Sequence, residues 1–324
     1  MRALVCHELA LDRAGLRFHS DWPEPPPPGP GQYLIGLRAV GLNYPDHLML
    51  EGGYQYRPEL PFIPGTEGCG VVLAAGPGEG EPATLPPGTR VLIGSRSGLM
   101  AERITLPASA VRPVPAGLDD AEAACFTVGA LTAWVGLMVR GRLKAGERVL
   151  VAGAGGGMGR AAVQLAAHMG AHVVALASTP ERAAIALAAG AAEAHVVPRY
   201  ASAQPVEGID LVFDPVGGAL ALPMIKALRR GGRYAIIGFT AGRPAPVPLN
   251  RLLLKQIELV GVRAGEQGRQ DPAAGAAHIA AIDALGAVLR PHIGLAVPLE
   301  RAAEAFAAMA GAALLGKAVI KIDG

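Results

Sequence analysis

The run Val149-Leu150-Val151-Ala152-Gly153-Ala154-Gly155-Gly156-Gly157-Met158-Gly159 is the key to the fold. An apolar strand breaks here into a glycine-rich turn, and an alanine-rich helix follows from about Arg160 to Met169. Glycines let a backbone approach a pyrophosphate that side chains would hold off, and the helix N-terminus offers free N–H groups and partial positive charge. The turn therefore nominates a dinucleotide site. The strict G-x-G-x-x-G spacing fails from Gly153 at Met158 and from Gly155 at Arg160. What remains is G-x-x-G-x-x-G at Gly153, Gly156 and Gly159, which keeps three side-chain-free points around the turn. A flexible glycine loop is the plain alternative. The flanks argue against it: the preceding strand is apolar on both faces, the helix carries small residues, and His172–Ala177 follows as a second parallel-type strand.

Strand-like segments at Val149–Ala152, Val173–Ala177, Ile209–Phe213, Tyr234–Gly238 and Ile257–Val262 alternate with helical ones. Such alternation predicts an α/β fold with a doubly wound parallel sheet that takes its ligand at the carboxyl ends of the strands. From Arg2 to about Val114 the texture differs: short apolar or alternating runs, punctuated by Gly and Pro, imply an antiparallel β-barrel. After Asp271 come an alanine-rich helix, a short strand near Ile293, a helix over Leu299–Met309 and a strand over Ala318–Ile322. This tail is expected to return to the first domain, so the division is 1–120 with 265–324 for the barrel domain and 121–264 for the nucleotide domain.

A chain of 324 residues, 51% of them hydrophobic, suits about two domains. A net charge of +2 without a basic block argues against nucleic acid as a partner. No run of about 18 apolar residues and no signal-peptide organisation at Met1–His7 is present, so the expected compartment is the cytoplasm and no membrane is expected as a partner. Three scattered cysteines, Cys6, Cys69 and Cys125, suit neither a disulfide framework nor a four-thiolate zinc site. The histidines show no ligand spacing. The strand Ile257–Val262 leaves a sheet edge that a second copy would cover, which predicts a homodimer.

Further motifs carry a resemblance. They are Gly41-Leu42-Asn43-Tyr44-Pro45-Asp46, Gly52-Gly53-Tyr54, Pro61 to Val72 with Gly65-Thr66-Glu67-Gly68, Leu85 to Val91, Phe213-Asp214-Pro215-Val216-Gly217-Gly218, and Gly231 to Gly238. In this order, nearly end to end, they resemble the zinc-independent quinone oxidoreductases of the medium-chain dehydrogenase/reductase superfamily. The resemblance implies a GroES-like barrel joined to a Rossmann domain. Zinc-dependent alcohol dehydrogenases of that superfamily place a Cys where this chain has Asn43 and a His where it has Thr66, and they carry a cysteine-rich lobe that is missing here. An amide and a hydroxyl are poor substitutes for thiolate and imidazole, so no metal is expected. Without a Lewis acid, reduction of a quinone or activated double bond is easier than alcohol oxidation.

The resemblance also implies residue roles. Asn43 would contact the nicotinamide ribose, Tyr54 would lie beside the nicotinamide, and Thr66 would add a contact near the ring; these three are the catalytic candidates, with Tyr56 a competing phenol or water as proton source. Cofactor contacts are expected from Gly153, Gly156, Gly157, Met158 and Gly159, and from the backbone of Gly238, Phe239 and Thr240. Tyr200 would serve the adenine and Lys317 the phosphate side. After the second strand, Ala177-Ser178-Thr179-Pro180 holds no acidic residue for a ribose diol. Ser178 and Thr179 can donate to a 2′-phosphate and Arg182 can pair with it, which points to NADPH. The expected activity is hydride transfer from NADPH to a small-molecule quinone or α,β-unsaturated carbonyl. The rivals are an enoyl-thioester reductase and a non-catalytic NADPH-binding protein.

Overall fold

A computed structural model describes residues 1–77, 85–197, 206–242, 244, 246–311 and 313–322. In chain order its strands are β1 (Ala3–Cys6), β2 (Leu16–His19), β3 (Gln32–Gly41), β4 (Glu67–Ala75), β5 (Arg90–Gly94), β6 (Arg103–Pro107), β7 (Val111–Pro113), β8 (Arg148–Ala152), β9 (His172–Ala177), β10 (Glu193–Val196), β11 (Ile209–Asp214), β12 (Leu228–Ile236), β13 (Glu258–Gly261), β14 (Ile293–Pro298) and β15 (Lys317–Lys321). The chain forms two compact units, Met1–Thr127 with Ile293–Gly324, and Val128–His292.

In the second unit, six parallel strands lie in the order β10-β9-β8-β11-β12-β13. This is the doubly wound order, with its switch point between β8 and β11. Val149 to Ala152 and Val173 to Ala177 are almost wholly buried, which is why these strands read as continuous apolar runs. The helix Gly157–His168 covers β8 and β9 with Ala161, Ala162, Val163, Leu165 and Ala166 buried. Small side chains let it approach closely, and each buried Val or Leu adds about 1.5 to 3 kcal/mol. The helix begins at Gly157, three residues before the sequence pattern suggests, because the turn's last glycines enter its first turn. Strand β10 escaped the sequence reading; Glu193-Ala194-His195-Val196 is short, half polar and at the sheet edge, so it lacks an apolar signature.

The helices Ala264–Gln270 and Pro272–Asp283 fall in the second unit, whereas the sequence division placed 265–292 in the first. Arg160 Nε and Gln164 Nε2 both donate to the Arg290 carbonyl, at 3.3 and 3.1 Å, and tie the chain beyond these helices to the glycine-turn helix. The return to the first unit comes at Ile293.

The first unit is built on a seven-stranded sheet in which β3 pairs with β4, β6 and β15, all antiparallel. Its core gathers Ile35, Leu37, Ile93, Leu99 and Phe306. Strand register brings distant polar residues together. Gly41 at the end of β3 lies opposite Glu67 on one side and Val319 on the other, so residues 43, 67 and 317, far apart in sequence, meet at one end of the sheet.

Candidate functional site

In the second unit the glycine turn joins β8 to its helix, and several of its glycines answer to a local constraint. Gly153 sits at φ +61°, a conformation L side chains rarely adopt. A Cβ on Gly159 would lie 2.2 Å from the Gly153 carbonyl oxygen, and one on Gly155 would lie 2.5 Å from Arg182 Cβ. Gly156, the N-cap, has no side chain with which to cap the helix, and the first N–H groups have no carbonyl one turn back, which suits them to a ligand anion. This is a cradle emptied of side chains at a helix N-terminus, and it fits a dinucleotide pyrophosphate. Gly157, Met158 and Gly159 form that first turn. The role of Gly155 was not read from sequence, because only the approach of the Arg182 backbone explains it.

Around the cradle the other cofactor candidates assemble by strand order. Ser178, Thr179 and Arg182 follow β9, beside β8. Thr179 is the N-cap of the helix Pro180–Ala188, its hydroxyl accepting from the Arg182 N–H at 3.3 Å. A hydrogen bond from the same hydroxyl holds the exposed Glu181 carboxyl below its usual range. Beyond β11, Asp214 accepts from the N–H groups of Val216 and Gly217 at 2.8 and 2.9 Å and from the Tyr234 hydroxyl at 2.5 Å. Burial pushes the Asp214 carboxyl upward against these donors. The loop it shapes packs on the segment after β12: Thr240 N–H donates to the Pro215 carbonyl, and Gly217, at φ +66°, leaves room for the Phe239 ring 2.9 Å from where a Cβ would be. Gly238, Phe239 and Thr240 thus stand against the strand end facing the glycine turn, where Val216 lies 3.0 Å from the position of a Gly153 Cβ. Tyr200 lies outside the described residues.

In the first unit a charged cluster is buried. Lys317 Nζ donates to Asn43 Oδ1 and to Glu67 Oε1, both at 2.7 Å, and Asn43 Nδ2 donates to the same Glu67 oxygen at 2.9 Å. Exposures are 6% for Asn43, 1% for Glu67 and 7% for Lys317. Burial opposes the charge on Lys317, but the Glu67 carboxylate outweighs it and holds the ammonium above its usual range. Asp46, the third residue of the helix Tyr44–Leu50, is fully buried; its Oδ2 accepts from the Asn43 N–H at 2.8 Å and from the Thr66 hydroxyl at 3.5 Å, and its Oδ1 has no partner among the described residues. Burial pushes its carboxyl up to about 7, against the Asn43 N–H and Lys317, with Glu67 adding to the rise.

Asn43 and Thr66 therefore come together, as the sequence reading grouped them, while Tyr54 is half-buried against the apolar core of the same unit. Tyr56 lies beneath the Arg96 guanidinium, 5.2 Å from its centre. Lys317, expected from the resemblance at the cofactor's phosphate side, instead has its ammonium bonded to Asn43 and Glu67. Tertiary pairing of β15 with β3 puts it there. Asp46 and Glu67 join the site without having been expected there; the one local signal for Asp46 is its spacing three residues after a helix-capping Asn. This donor set does not fit zinc. Both polar side-chain atoms of Asn43 are taken by Glu67 and Lys317, and an ammonium already supplies the local positive charge. No group of three or more His, Cys, Asp or Glu among the described residues is arranged to hold a metal ion.

Residues 29–116 match the alcohol dehydrogenase GroES-like domain family and residues 157–281 the zinc-binding dehydrogenase family. Quinone oxidoreductase-like protein 2 of Rattus norvegicus is 32% identical over 94% of this chain and 87% of its own. The quinone oxidoreductase of Thermus thermophilus, solved alone and with NADPH, superposes with a TM-score of 0.83 at 34% identity, covering 99% of this chain and 100% of its own. An NAD-dependent alcohol dehydrogenase superposes with a TM-score of 0.87 at 29% identity, covering 100% of both chains.

Proposed function

The chain belongs to the medium-chain dehydrogenase/reductase superfamily, and on that basis we propose that it is an NADPH-dependent, zinc-independent oxidoreductase that reduces a quinone or an α,β-unsaturated carbonyl. The observation that carries the reading is the Asn43–Glu67–Lys317 cluster, in which an ammonium stands among residues that offer no metal-ligand set. NADPH, when bound, supplies a hydride from C4 of its nicotinamide. The glycine cradle and the first helical turn Gly157–Gly159 hold the pyrophosphate, Arg182 and Ser178 hold the 2′-phosphate, and the backbone of Gly238 to Thr240 holds the nicotinamide side. Thr179, already engaged as a cap, keeps Arg182 in place. Asn43, Tyr54 and Thr66 contact the nicotinamide end and orient the acceptor. With no Lewis acid, the rate comes from positioning in a site poor in water.

Among the described residues the strand β13 pairs only with β12 and ends the sheet, with Leu259 partly exposed. A second copy covers that edge in the homodimer we propose, and light scattering at micromolar concentration tests it by the mass. No described helix is long and apolar enough to cross a membrane; a cytoplasmic site of action is part of the same proposal. The activity is tested by following NADPH and NADH oxidation against quinones, enones and alcohols in the presence of a chelator. Quinone or enone turnover with NADPH supports the reading, and zinc-dependent alcohol oxidation overturns it.

A further inference from the structure

The barrel cluster holds one cation and two carboxyl groups. Lys317 is bonded to Glu67 and Asn43, and among the described residues Asp46, itself fully buried, is left without a counter-ion of its own. A lone buried carboxylate is costly, and a group so placed takes up a proton. Its Oδ1 has no partner among the described residues, while its Oδ2 faces Asn43 N–H and the Thr66 hydroxyl. The charged groups bearing on Asp46 are Lys317 on β15 and Glu67 on β4. Thr66 is half-buried, and its hydroxyl is hydrogen-bonded to the closed carboxyl.

We propose that Asp46 is carried as a neutral acid and delivers the proton of enone reduction through the Thr66 hydroxyl. The inference rests on the reductase reading above. A hydride delivered to the β-carbon of the enone forms a C–H bond and leaves an enolate. The neutral carboxyl carries its proton on Oδ2, which turns the Thr66–Asp46 hydrogen bond so that Asp46 donates to Thr66 Oγ; the Thr66 hydroxyl proton then passes to the α-carbon, and the Asp46 Oδ2 proton passes to Thr66 Oγ. The double bond is reduced, NADPH leaves as NADP⁺, and Asp46 is left as a carboxylate near the Lys317 ammonium until solvent returns a proton. A quinone differs: its hydride adduct becomes a hydroquinone anion, an oxygen base that takes a proton directly from water, so its turnover does not depend on the relay.

The test uses the full chain with NADPH, an enone (3-buten-2-one) and a quinone (9,10-phenanthrenequinone), with the infrared spectrum as a readout independent of turnover. The wild type should show a protonated-carboxyl band at pH 6 that fades as pH rises past neutrality and is missing in Asp46→Asn. In that variant the enone-to-quinone rate ratio should fall at least tenfold and lose its decline at higher pH. Thr66→Val should keep the infrared band and lose the ratio, which holds the proposal to account even if Asp46→Asn folds poorly. Absence of the band in the wild type, or an equal loss with both acceptors in both variants, overturns the relay while leaving the reductase reading intact. A wild type that turns over neither acceptor overturns both, and the infrared band then still reports on Asp46 alone.

Discussion

Around Asn43 the barrel unit packs Asp46, Glu67 and Lys317 out of water, whereas around Gly153 the nucleotide unit clears side chains away and presents backbone N–H groups. One region holds full charges in mutual balance; the other is shaped by glycines packed against neighbouring backbone. Each is therefore fragile in its own way. A balanced buried cluster fails through electrostatics when one member is lost, since the remaining charge is stranded. A glycine cradle fails through sterics when one Cβ is added, and its first casualty is the ligand it was shaped for. Four measurements put this contrast at risk.

The largest effect should come from Lys317→Met, which strands the Glu67 carboxylate. Urea unfolding should show a loss of about 3 to 5 kcal/mol. A loss below about 1 kcal/mol would mean that the charges are not coupled as the geometry has them. Next in size is the pH dependence of Asp46. Its carboxyl titrates at about 7 when folded, against about 3.9 when unfolded, so between these values the folded state binds the extra proton. Stability from this group is therefore greatest at low pH and declines as pH rises toward 7. Asp46→Asn lacks that decline. Compared with wild type it should gain up to about 4 kcal/mol on going from pH ~4 to pH ~8, and parallel unfolding curves at the two pH values would refute it.

In the other unit, Arg182→Ala should weaken NADPH binding by roughly ten- to hundredfold, about 1.5 to 3 kcal/mol, and leave NADH nearly unchanged. Fluorescence titration of both cofactors decides this; equal losses would make Arg182 structural. Gly159→Ala places a methyl 2.2 Å from a backbone oxygen, so the turn must shift. Its cost in stability should be about 1 to 3 kcal/mol, less than that of Lys317→Met, with NADPH and NADH binding weakened together. If it unfolds the protein as readily as the lysine variant, the cradle is as much a keystone of its unit as the charge cluster is of the other.

Residues 149–177 made the parallel sheet legible because β8 and β9 are buried on both faces and the turn between strand and helix has a chemical signature. Asn43 and Thr66 were legible as a pair only by resemblance, since 23 positions separate them in the chain. Neither the need for glycine at 155 nor the strand β10 bears a local signal in the sequence.

Local sequence sufficed for the sheet type and the glycine turn, both properties of neighbouring residues whose spacing encodes backbone shape. Where the charges balance was settled only by tertiary structure. The pairing of β15 with β3 and of β3 with β4 carries Lys317 and Glu67 to Asn43, across 274 and 24 residues. Whether Asp46 is an acid or an anion then depends on burial and on how one ammonium is shared between two carboxyl groups, and neither quantity exists before the chain has folded.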